Sequence, residues 1–188
     1  MARPKSEDKR NAIMAAATHV IVTHGLGAPT ALIAQEAGVA NGSLFTYFET
    51  KTDLFNQLFL ELKAESASAA LAGHPAGTEL REQVFHIWSN WMAWAVAHPE
   101  KRRALTQLVV SDEITPTNRA TAHKKMAAVG ELLERIRANG PLRNAPKAFA
   151  SEIMISLAEA TMDFMIRDPS NAKKHCKVGF AALWRVVA

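Results

Sequence analysis

Of the 188 residues, 48% are apolar, enough to bury a real core, and the lone cysteine, Cys176, rules out a disulfide framework within one chain. The net charge of +4 is mild, and residues 1–63 carry about as many acids as bases, so any attraction for a polyanion must be local. No apolar run reads as a signal segment behind MARPKSEDKR, and the most apolar stretch, residues 87–97, is too short to span a bilayer; a soluble cytoplasmic protein with no membrane partner is expected.

Nearly every segment reads as helix, and strand signals are weak. A first helix is expected from Ser6 as N-cap to about Thr23, with Gly25 ending it. Thr30 is placed as the cap of a short second helix, which Gly38 closes as a left-handed residue. Asn41 is placed as the cap of a third, and Thr50, with Asp53 three residues on, as the cap of a fourth. His74-Pro75-Ala76-Gly77 is the candidate boundary. Beyond it the pattern predicts helices over about 78–98, 100–110 and 116–138, then two more, each opened by a proline, over 146–166 and 169–187.

The second and third helices are separated by three or four residues, the turn length of a helix-turn-helix. Leu44 and Phe48 lie at i and i+4 and mark the inner face of the third helix. Gly42, Ser43, Thr46 and Tyr47 then form a small, uncharged, hydrogen-bonding outer face, sized for a major groove. Lys51, Thr50 and the free N–H groups opening the fourth helix add an anion site, and Arg3, Lys5, Lys9 and Arg10 further positive charge. Spacing alone leaves two readings open, a DNA-binding element or a helical corner with aromatics in its core.

Residues 30–55, TALIAQEAGVANGSLFTYFETKTDLF, resemble the N-terminal signature of the TetR family of transcriptional regulators. The matching positions are Thr30, Ile33-Ala34, Ala37-Gly38-Val39, Gly42, Leu44-Phe45, Tyr47-Phe48, Lys51 and Leu54. The resemblance implies an all-α fold in two parts. Residues 1–50 would be a three-helix helix-turn-helix DNA-binding domain, joined through a helix over 51–71 to a larger helical ligand-binding and dimerisation domain over 72–188. It implies that the third helix reads double-stranded DNA, through Asn41, Gly42, Ser43, Phe45, Thr46 and Tyr47, with Thr30 and Lys51 on phosphates. Phe45 departs from the tyrosine usual in the family, and Thr46 from a larger aromatic, so the bases read do not transfer.

The helix VFHIWSNWMAWAVAH, residues 84–98, is apolar nearly all round. Its rings either fill a core or line a cavity; in the second case Phe85, Trp88, Trp91, Met92, Met126, Met162 and Met165 are the candidate ligand-binding residues. The last two helices show more apolar surface than one core stripe needs, with Phe149, Ile153, Leu157, Cys176, Phe180, Leu183 and Trp184. The family resemblance implies that those helices pair with a second copy and that a small-molecule inducer binds the larger part. No histidine pairing expected of zinc ligands, nucleophile–base pair or glycine-rich phosphate loop is present, so neither a metal, a cofactor nor an enzymatic activity is expected. The expected function is a homodimeric repressor released from a palindromic operator by an apolar or amphipathic inducer. The rivals are a DNA-binding accessory factor that senses nothing, and a carrier or enzyme using the apolar cavity.

Overall fold

The structure, a computed structural model, describes residues 6–188, so Arg3 and Lys5 lie outside the described residues. Among the described residues ten α-helices follow one another: α1 Glu7–His24, α2 Thr30–Glu36, α3 Asn41–Tyr47, α4 Lys51–Leu71, α5 Leu80–Ala97, α6 Pro99–Val109, α7 Pro116–Lys125, α8 Ala127–Arg137, α9 Lys147–Arg167 and α10 Ala172–Val187. Among the described residues there is no strand, and the fold is all-α, an N-terminal helix-turn-helix part followed by a helical C-terminal part.

Several helix ends differ from expectation. Pro29, in extended backbone, precedes α2, so Thr30 is the first helical residue rather than the cap. Ala40 plays the same part before α3 and leaves Asn41 inside the helix. The stretch over 116–138 is two helices, because Met126 leaves helical backbone (φ −98°, ψ 7°) and its N–H bonds back only three residues, to His123 at 3.1 Å. Neither glycine nor proline marks that break. The last helix begins at Ala172, after a 3-10 turn over Pro169–Asn171.

The chain divides into two compact units, residues 1–64 with 100–122, and residues 65–99 with 123–188. In the first, α1 buries Ile13, Ala17, Val20 and Ile21 together with Ile33 and Ala34 of α2, Leu44 of α3, and Phe48 and Leu54. Arg10 closes the edge of this core: its guanidinium lies 5.7 Å from the centre of the Phe48 ring and donates to Gln57 and Glu61 of α4. The same unit holds a buried polar hub at Asn56, 4% exposed. Its amide nitrogen donates to the carbonyls of Thr52 and Glu113, both at 2.8 Å, and its oxygen accepts from the N–H of Thr115 and from Asn118. Residues 113–118 are thereby pinned to α4.

In the second unit α10 packs on α9 and α5. The close approach of α9 and α10 requires a glycine, since a Cβ at Gly179 would stand 2.2 Å from Thr161 Oγ1. Trp88 of α5 is buried, and its indole N–H donates to the Cys176 carbonyl at 3.0 Å, satisfying the one polar group the ring carries. Trp94 does the same with Glu65 at 3.1 Å. No helix of the described residues is long and apolar enough to cross a membrane.

Candidate nucleic-acid interface

The turn between α2 and α3 decides where the third helix points. Gly38 takes a left-handed backbone (φ 66°), its N–H bonds the Gln35 carbonyl at 3.1 Å, and the N–H of Val39 bonds the Ala34 carbonyl at 2.9 Å. This pair of hydrogen bonds satisfies two orphan carbonyls at the end of α2 and reverses the chain in one step. A side chain at Gly38 would be strained by its φ alone.

On α3, Leu44 is fully buried, and Phe48, just past the helix, is too. Asn41, Gly42, Phe45 and Thr46 are exposed, and Ser43 is half-buried. Phe45, 43% exposed, is a large apolar side chain that the core leaves out. An added Cβ at Gly42 would meet nothing within 4 Å, so packing does not explain the glycine. Tyr47 is half-buried, and its hydroxyl accepts the backbone N–H of Ser6 at 3.2 Å. The ring therefore also ties the end of α3 to the start of α1, a structural part that sequence spacing did not reveal.

The start of α4 completes the surface. Thr50 Oγ1 accepts the N–H of Asp53 at 3.0 Å, and the Asp53 carboxylate accepts the N–H of Glu49 at 3.1 Å. This near-reciprocal cap fixes the first turn. Lys51 follows it, half-buried, with Nζ 5.3 Å from the centre of the Phe55 ring, which orients the ammonium beside that turn. Thr30, half-buried, opens α2. An uncharged, exposed helix face flanked by a lysine and a helix N-terminus is suited to a groove lined with phosphates.

Residues 13–58, which hold this whole arrangement, match the sequence model of the family described as bacterial regulatory proteins, tetR family. Residues 13–58 thus resemble the N-terminal, DNA-binding part of that family. Its fold is that of a DNA-binding transcription regulator. A putative tetR family transcription regulator from Shewanella sp. PV-4 superposes with a TM-score of 0.82 at 29% identity, covering 94% of this chain and 96% of that one. The fold is shared at lower identity by a TetR family transcription regulator from Marinobacter aquaeolei VT8 (TM-score 0.83, 21% identity, 95% and 94% covered). It is shared too by the TetR-like regulator LfrR from Mycobacterium smegmatis in complex with proflavine (TM-score 0.68, 19% identity, 97% and 99% covered).

The expected ligand residues differ in exposure. Met92 and Met162 are fully buried, Trp88 and Met165 are buried, and Trp91 and Met126 are half-buried. Phe85 borders an open groove between α5 and α10. The expected dimer residues divide as well. Cys176, Phe180 and Leu183 are 8%, 5% and 3% exposed within the chain, where α10 turns its apolar face to α5 and α9, so they offer little surface to a second copy. Burial also pushes the Cys176 thiol pKa up, against weaker opposing bonds to Ser89 and Trp88. Trp184 is half-buried beneath the Arg81 guanidinium, 5.7 Å away. Phe149 stands out at 57% exposed, with Ile153 and Leu157 half-buried along α9. Phe164, which helical spacing puts with Phe149, Ile153 and Leu157, is 55% exposed, while Ile155 and Val178 are exposed apolar residues outside that expected set.

Proposed function

We propose that the protein is a homodimeric transcriptional repressor that leaves a palindromic operator when a small apolar or amphipathic inducer binds. The observation that carries the DNA part is the exposed α3 face, with Gly42 open to solvent and Thr46 and Phe45 outward beside Lys51. Each protomer presents that helix to one major groove, through Asn41, Gly42, Ser43, Phe45 and Thr46, with Thr30 and Lys51 on backbone phosphates. Two-fold symmetry then sets half-sites about 34–36 Å apart, or a multiple of that. Phe149, Ile153 and Phe164 on α9 are the apolar side chains offered to a second copy, since Phe149 and Phe164 would otherwise hold more than half their surface in water.

Inducer response requires that the ligand prefer the state with low DNA affinity; a coupling of about 1–3 kcal/mol is usual, and DNA weakens the ligand by the same factor. The test is a footprint on DNA flanking the gene, repeated with Lys51→Ala across a salt series. Loss of one phosphate contact should flatten the slope of log affinity against log salt by about one. An unaltered slope removes Lys51 from the interface, and no protected DNA at all removes the repressor reading. The accessory-factor reading, without ligand, draws support from Met92 and Met162, which are packed with no exposed surface.

A further inference from the structure

The open groove between α5 and α10 offers about 490 Å³, a size that suits a small organic ligand. Its floor is aromatic: the rings of Phe85 and Phe180 stand 4.8 Å apart, tilted by 59°. Phe180 is nearly buried, and its ring centre lies 6.4 Å from Trp88 and 5.9 Å from Trp184, so its orientation is held from behind. Ala181 leaves room on the α10 side.

Charge on the rim decides the class of ligand. Glu79 and Glu82, on the α5 side, have a local explanation, because they stand at the N-cap and first turn of α5, where a helix dipole favours acids. Lys177, on the α10 side, has none. It follows Lys173 and Lys174 at the positive end of α10, where cations are unfavourable, and none of the three makes an ion pair among the described residues. Lys173 and Lys177 share a helix face with Ala181 and Trp184. Arg81 adds a second cation above the Trp184 ring. Within the lining Arg81 and Lys177 balance Glu79 and Glu82; Lys177, held by no ion pair among the described residues, is the group left to meet an anion, and the two glutamates favour a single negative charge over a phosphate dianion.

We infer that this groove binds a small aromatic carboxylate, its ring on Phe85 and Phe180 and its carboxylate against Lys177 with Arg81 beside it. The inference rests on the ligand response proposed above and places it at a surface groove rather than among the tryptophans.

The experiment titrates 2-naphthoate into the full-length protein by calorimetry, with neutral 2-naphthamide as the control. 2-Naphthoate should bind at least tenfold more tightly than the amide. Lys177→Glu, an exposed change that leaves the floor intact, should weaken it at least tenfold, and Phe85→Ala should do likewise. Failure of 2-naphthoate to bind, or equal affinity in Lys177→Glu, overturns the site. So does a groove covered by a second copy, seen as no 2-naphthoate binding together with a changed sedimenting mass in Lys177→Glu. A gel shift on operator DNA separates the two claims. Naphthoate bound with no change in DNA affinity supports the groove and sinks the ligand response, whereas DNA release by other small molecules without naphthoate binding sinks the groove alone.

Discussion

The hydroxyl of Tyr47, at the end of α3, accepts the backbone N–H of Ser6, at the start of α1, at 3.2 Å. One side chain thus joins α3 to the point where the chain enters the first helix. Tyr47→Phe keeps the ring and removes the acceptor. The expected cost in folding stability is at most about 1 kcal/mol, because the bond is only part-buried and water can replace it. Operator affinity should fall through a looser α1 start, with little change in preference among operator sequences. A binding screen over operator variants checks this; a changed sequence preference would instead make the phenol a base-reading group.

Gly42 offers a cleaner separation of stability from function. A methyl group there meets no neighbour, and alanine is the better helix former by up to about 1 kcal/mol. Gly42→Ala should therefore melt at the same temperature or higher while binding its operator at least tenfold more weakly, since backbone can no longer approach the DNA as closely. Thermal melts and gel shifts on the same preparation test it. Full affinity retained by the alanine variant would show that the α3 face does not meet DNA at this residue.

Asn56 is buried and answers four groups at once, from α4, the 113–115 loop and α7. Asn56→Leu is near in size but leaves those groups unpaired, at about 1–3 kcal/mol for each one that water cannot reach. A loss of at least about 2 kcal/mol in denaturant unfolding is expected. A smaller loss would mean that water enters and replaces the amide.

Asp168 links the end of α9 to the start of α10. Its carboxylate accepts from His175 at 2.9 Å and from Ser170 and Asn171, and these bonds, His175 first, hold its pKa down to about 2 from an ordinary 3.8. A lowered folded-state pKa means that the contribution is complete above about 3.8 and disappears as the pH falls toward about 2. Melting temperature in the second unit should thus drop across that window, and Asp168→Asn should drop less steeply there. Parallel acid titrations of the two proteins would refute the link.

The α9 face is tested by charge. Phe149→Asp together with Phe164→Asp places two carboxylates on side chains already more than half exposed, so the protomer should fold. A homodimer built on α9 should become a monomer in sedimentation at micromolar concentration. A mass that does not change moves the interface elsewhere.

The helix-turn-helix was legible because its determinants are local. Gly38 must be left-handed, Val39 must fold back, and Leu44 and Phe48 must share a face, all within a dozen residues. The capping pair of Thr50 and Asp53 is equally local, and the structure has it. Helix periodicity likewise named most apolar segments, since a 3.6-residue repeat needs no knowledge of neighbours. It could not say which apolar face of α10 meets its own chain. Cys176, Phe180 and Leu183 look like a spare surface in sequence, and only the packing of α10 on α5 and α9 shows them to be core. The break at Met126 and the second part played by Tyr47 were hidden for the same reason. Each depends on residues dozens of positions away or on backbone geometry that no side-chain pattern encodes. Local chemistry wrote the helix-turn-helix; burial, a property of the whole packed unit, decided which aromatic rings are core and which border a groove.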